Sequence, residues 1–120
     1  MNVWLFAGAV NGFLAVAAGA FGAHSLESRL DAHSLSIFQT AAHYHLVHAV
    51  AIVAAGIAAE MSGRRAAGIA ALLFTAGVVL FSGSLYFLVL ARSNALVLLT
   101  PIGGLFFLAG WVALAFSAFA

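Results

Sequence analysis

Charged residues break this chain at intervals, and between them the sequence is apolar. Four stretches, 3–23, 37–59, 66–91 and 95–118, contain no Asp, Glu, Lys or Arg. Each is long enough, at 1.5 Å of helical rise per residue, to cross a hydrocarbon core of about 30 Å. The runs are continuously apolar and do not alternate, which excludes barrel strands. A helix also satisfies its own backbone in lipid, where water cannot. The pattern therefore predicts an all-α bundle of four transmembrane helices forming one domain over 1–120.

The connections are short. Arg64 and Arg65 separate the second and third spans, and Arg92, Ser93 and Asn94 separate the third and fourth. The longest connection, 24–36, carries Glu27, Arg29, Asp31 and His33. Its Leu26 and Leu30 are one turn apart, which predicts a short amphipathic interfacial element between the first two helices. Ser36 and Gln39 stand at capping-box spacing and suit the start of the second span. Pro101 either opens the fourth span near Thr100 or bends it there. The first run has no preceding Lys or Arg and exceeds a signal-peptide core of about 7–15 residues, so it reads as a retained span. Arg64 and Arg65 lie on one side of the bilayer and Arg29 and Arg92 on the other, so the count of cations is tied. The adjacent pair and the neutralised 24–36 connection lean the reading toward both termini in the cytoplasm.

Composition sharpens the class. The chain is 66% hydrophobic and 6% charged, with mean hydropathy +1.20; too few charges are present to cover a water-facing surface. The lipid bilayer is its first partner, and a bacterial cytoplasmic (inner) membrane its expected location. A net charge of +1 leaves no basic patch for nucleic acid. Cysteine is absent, which excludes disulfides, thiolate metal sites and cysteine nucleophiles.

Two features inside the spans carry information. Gly8, Gly12, Ala15, Gly19 and Gly22 follow a 4-3-4-3 spacing and so form one seam on the first helix. Small residues let another backbone approach closely, either a helix of the same bundle or one from a partner. The second feature is histidine. His45 and His48 share a helix face, Tyr44 is one turn from His48, and an antiparallel neighbour is expected to bring His24 near His43 or His45. Imidazole nitrogens of His24, His45 and His48 are the candidate ligands for zinc, copper or haem. The plainer alternative is that each histidine hydrogen-bonds a facing helix. Gln39, Thr40, Tyr44 and His48 form a candidate polar cluster of unassigned ligand. No nucleophile elbow, metalloprotease motif or phosphate loop occurs, and no charge lies mid-span, which speaks against an ion-coupled transporter. Trp4, Tyr86 and Trp111 are candidate aromatic-belt anchors.

Three blocks bring these residues together: GAFGAH with Leu26 and Leu30, FQTAAHYHLVHA from Phe38, and LFSGSLY with TPIGGLFFLAGW, ending at Trp111. In these the chain resembles the domain of unknown function 423 family, the transmembrane protein 256-like small membrane proteins. The resemblance implies four spans, residence in bacterial or eukaryotic membranes, and no established activity. It implies recurrent polar positions at His24, Gln39, Thr40, Tyr44, His48, Ser82 and Tyr86. Positions 43 and 45 are more often glutamine in the family's pattern, so a shared metal site would rest on His24 and His48 alone.

The first functional reading is a non-enzymatic structural or accessory protein, with no cofactor, packing as a homo-oligomer or within a larger membrane complex. The second is a membrane metal- or haem-binding protein using the span histidines. A small-molecule or lipid transporter is the third.

Overall fold

The computed structural model describes residues 1–119. Four helices are long and apolar enough to cross a membrane: α1 Val3–Leu26, α2 Ala32–Ser62, α3 Arg65–Leu90 and α4 Leu99–Phe116. No strand occurs among the described residues. The bundle is a slab, 50 × 26 × 18 Å, whose long axis exceeds the roughly 40–45 Å of a full bilayer.

Each helix starts and stops for a local reason. The Asn2 side chain caps α1, its Oδ1 accepting from the Leu5 N–H at 3.0 Å. Its Nδ2 reaches the far end of α2, donating to the Gly56 carbonyl at 3.3 Å and to Glu60 Oε2 at 2.6 Å. α2 begins at Asp31 and not at Ser36. The Asp31 carboxylate accepts from the Ser34 N–H at 2.7 Å. A carboxylate at a helix N-terminus also gains from the dipole, so the helix starts five residues earlier than the hydroxyl at Ser36 predicts. α2 stops at Gly63, which takes φ 65° and donates to the Ala59 carbonyl at 2.9 Å. α3 is followed by Arg92 at φ 52°, a left-handed conformation that costs a non-glycine residue about 1–2 kcal/mol. Pro101 lies in the first turn of α4, where its missing N–H disturbs nothing, so it opens the helix and does not bend it. Residues 95–98 form turns, which shortens the fourth span relative to the expected 95–118.

The amphipathic element between α1 and α2 is a tight turn that continues α1. The Leu30 N–H donates to the Leu26 carbonyl at 2.9 Å. Both leucines pack against the cluster of Ala23, Phe38 and Val89. The connection is therefore shorter than 24–36, and this sets the register of everything below it.

Without a hydrophobic drive in lipid, helices associate by close packing, and small residues carry it here. The α1 seam faces α2. A Cβ on Gly8 would meet Val53 and the Ala49 carbonyl, one on Gly12 would meet Ala49, one on Gly19 would meet Ala42, and one on Gly22 would meet Phe38. The seam is thus used inside the bundle. α2 buries Ala41, Ala42, Ala49, Ala51 and Ala55, and α3 buries Ala67, Ala70 and Ala71. The larger core cluster adds Ile52, Phe74, Val78 and Phe107. Two π-helical segments, Ala17–Gly22 in α1 and Val78–Ser82 in α3, sit against α2 at the same level. There Gly19 faces Ala42, and the Ser82 hydroxyl donates to the Ala41 carbonyl at 2.8 Å.

Two outcomes follow from this packing. Gly103 lies against the backbone of Leu80 and Phe81, so Gly103→Ala is expected to cost at least about 1–3 kcal/mol. The nearest atom to a Cβ at Gly12 is Ala49 Cβ at 4.0 Å, so Gly12→Ala is expected to be neutral or to gain up to about 1 kcal/mol. Unfolding of the two variants in micelles, side by side, checks both signs. The Ser34 hydrogen bonds hold the Asp31 carboxyl below its ordinary value, with His33 adding a smaller effect. A depressed carboxylate contributes stability above the unfolded value, and that contribution is lost as pH falls through the folded one. Protection of the Ser34 amide against exchange, relative to its intrinsic rate, is expected to fall below about pH 4, and to lose that pH dependence in Asp31→Asn.

Candidate functional site

α2 touches all three other helices, and two of its histidines make the polar connections. His45 and His48 are 6% and 4% exposed. They lie near the middle of a 31-residue helix, with lipid-depth sequence on every side.

At His45 the hydrogen bonds form an ordered relay. Asn11 Nδ2 donates to the Ala7 carbonyl at 2.9 Å, which turns Asn11 Oδ1 toward α2. His45 Nε2 lies 2.9 Å from that oxygen, and His45 Nδ1 lies 3.0 Å from the Tyr86 hydroxyl. An amide oxygen only accepts, so Nε2 carries the proton and donates. Nδ1 then accepts from the Tyr86 O–H. One neutral imidazole with one donor and one acceptor joins α1, α2 and α3.

His48 is fixed in the other tautomer. Its Nδ1 lies 2.8 Å from the Tyr44 carbonyl, which only accepts, so Nδ1 donates. Trp111 Nε1 donates to His48 Nε2 at 3.1 Å, which ties α2 to α4. The imidazole also stacks on Phe107, with centroids 3.6 Å apart and planes at 9°. Tyr44 is stacked parallel to His48 at 6.1 Å, and its ring packs on Phe81 and Phe107. A further link, between the hydroxyls of Ser84 and Thr100, joins α3 to α4.

The expected histidine triad is not assembled. The short α1–α2 turn places Gly19 across from Ala42 and Gly22 across from Phe38. His24 therefore lies beside Leu35 and Gln39, about 20 Å along α2 from His48. It is exposed, and its Nδ1 is 3.8 Å from Glu27 Oε2. His45 and His48 each use both ring nitrogens within the bundle, so neither has a lone pair free for a metal. Among the described residues no three His, Asp or Glu side chains come together to hold a metal ion. Ser82 and Ser84 have backbone or hydroxyl partners and no base.

The candidate polar cluster divides in two. His48 is buried, whereas Gln39, Thr40 and Tyr44 are exposed, as is His43. These four side chains form no hydrogen bond with the described residues, and all four point away from the bundle interior or to its edge. Of the candidate aromatic-belt residues, Tyr86 and Trp111 turn their polar atoms inward to His45 and His48. Trp4 packs at the bundle end against Gly56. Asn11 is the member of the relay that sequence reading left without a role. The available signal was that it is the single strongly polar residue in the interior of the first span.

The family model described as protein of unknown function (DUF423) matches residues 18–104. The chain belongs to this family. Among its relatives, UPF0382 membrane protein YwdK of Bacillus subtilis is 40% identical, covering 98% of this chain and 97% of the relative. UPF0382 membrane protein of Haemophilus influenzae is 41% identical, covering 98% and 94%. UPF0382 membrane protein SAB0533 of Staphylococcus aureus is 39% identical, covering 99% and 97%. No solved structure matches the chain. The family is one of membrane proteins without an assigned activity, and the matched stretch contains His45, His48 and Tyr86.

If His45 is a structural node, His45→Leu leaves Asn11 Oδ1 and the Tyr86 hydroxyl unpaired, with an expected cost of about 1–3 kcal/mol. A double-mutant cycle of His45→Leu with Tyr86→Phe, read by unfolding in micelles, is expected to return a coupling of about 0.6–1.7 kcal/mol. His45→Gln keeps a donor and an acceptor and is expected to recover part of the loss.

Proposed function

We propose that this protein is a non-enzymatic accessory bundle of the bacterial cytoplasmic membrane, which packs with itself or within a larger membrane complex. The observation that supports the reading is the outer face of α2. At 1.5 Å per residue α2 is about 46 Å long, against a hydrocarbon core of about 30 Å. Centred on the bilayer, it carries Gln39 about 12 Å and His43 about 6 Å from the midplane. Gln39, Thr40, His43 and the Tyr44 hydroxyl would then face acyl chains with their hydrogen-bonding groups unpaired. Such groups are costly in lipid and are covered by protein where they persist.

A groove lies beside them. Ala15, Gly19, Ala20 and Ala42 line it with small side chains, Val16 and Leu46 with larger ones, and Gln39 and His43 supply its polar atoms. Gln and neutral His each carry a donor and an acceptor. The same face on a second copy could therefore pair with it. The non-enzymatic part of the reading is supported by the interior, where the serine, histidine and tyrosine groups are engaged with one another or with backbone.

The face gives opposite expectations for its two possible surroundings. Covered by a partner helix, Gln39→Leu with His43→Leu removes its hydrogen bonds and releases the partner. Bathed in lipid, the same change is stabilising. Native mass spectrometry after gentle extraction is expected to show a dimer or a heteromeric complex for the wild type and the lone chain for the variant. A lone wild-type chain, together with a more heat-resistant variant, would refute the reading.

A further inference from the structure

Arg29 in the α1–α2 turn and Arg92 in the α3–α4 connection line one cavity of about 500 Å³ at the same end of the bundle. Among the described residues the one close acid–base contact is His24 with Glu27, so neither guanidinium is ion-paired. Asp31 is the single carboxylate on the rim, and its Oδ1 is committed to the Ser34 N–H. His33 adds an imidazole to the same rim, and Ile37 and Val89 lie beneath. The cavity also meets the N-terminal end of α2, where the helix dipole adds to the positive potential.

The backbone at Arg92 is unusual as well. This residue occupies the left-handed position just past the end of α3, where glycine is the comfortable choice. A non-glycine residue there places a guanidinium on the rim of the cavity at a conformational cost. Of the two arginines at the opposite end, Arg64 donates to the Ser117 carbonyl at 3.4 Å.

We propose that this cavity binds an anionic phosphate group at the membrane surface, held between Arg29 and Arg92. Guanidinium forks match phosphate oxygens, and the apolar floor takes carbon adjoining the phosphate. A phospholipid headgroup offers both parts, whereas soluble phosphate offers only the first.

The test is native mass spectrometry of the full chain from micelles containing phosphatidylglycerol or phosphatidylcholine, with and without inorganic phosphate. The wild type is expected to retain phosphatidylglycerol over phosphatidylcholine. Removal of each guanidinium, in R29Q and R92Q, is expected to lower retention about fivefold. R92G is informative for a second reason: it relaxes the left-handed backbone while removing the charge, so its stability to unfolding in micelles is expected to match or exceed the wild type's while binding is lost. The double variant R64Q/R65Q, which removes equal charge at the other end, is expected to bind like the wild type. Retention that inorganic phosphate leaves unchanged identifies the lipid headgroup as the source, and displacement by it identifies a soluble phosphate. Equal retention by wild type, R29Q and R92G overturns the proposal, as does an equal loss in R64Q/R65Q.

Discussion

A polar group inside a bilayer has to find its hydrogen-bond partner within protein, and the architecture of this bundle turns on how His45 meets that demand. A neutral imidazole offers one donor and one acceptor on opposite sides of a rigid ring. Asn11 takes the donor and Tyr86 supplies the acceptor's proton. The relay works only if α1 and α3 both lie within side-chain reach of α2 at the same depth. That condition fixes their placement more tightly than van der Waals packing could, since apolar contacts in lipid are nearly as good in many registers. The small residues and the π-helical segments follow from it. Gly8 and Gly12 bring α1 close enough for Asn11 to reach, and Ser82 brings α3 onto the Ala41 carbonyl just below Tyr86.

His48 repeats the device with the other tautomer and a different neighbour. Its spacing of three from His45 keeps both rings in the interior, yet one serves α1 and α3 while the other serves α4. The same bonds that make these histidines good clips occupy all four of their ring nitrogens. A metal would have to displace Trp111 or Tyr86 from a nitrogen and leave an N–H or O–H unpaired in lipid. The interior of α2 is thus internally satisfied, while its outer side, one or two positions away along the helix, is not. Gln39 and His43 belong to a helix with two polar faces, only one of which the chain itself covers.

Much of the fold was legible in the sequence because lipid imposes a length and an absence of charge, and both are visible residue by residue. Of the two readings open at Pro101, the structure takes the one in which it opens the fourth helix. A helix end was misread where two capping residues competed: Asp31 and Ser36 both suit a helix start, and only the carboxylate's added dipole interaction decides between them. That error propagated. A connection assumed to run over 24–36 puts His24 near His43 or His45, whereas a turn over 27–31 carries it to Leu35. The importance of His45 and His48 was legible from their rarity in apolar sequence. Their partners were not, because Asn11, Tyr86 and Trp111 are joined to them only by the register and rotation of three other helices.

The two ends of the bundle show why counting charges says little about this protein's sidedness. Each end carries two arginines, so by number they cancel. Their surroundings do not cancel. At the end with both termini, Arg64 reaches the last turn of α4 and Glu60 accepts from Asn2, so charge there closes the bundle upon itself. At the other end the acids are engaged elsewhere, Asp31 with the start of α2 and Glu27 beside His24. Arg29 and Arg92 are left facing a shared cavity, one of them on a backbone conformation that its side chain does not favour. Arg64 and Glu60 at the first end serve the fold, whereas Arg29 and Arg92 at the second line a cavity at the bundle surface.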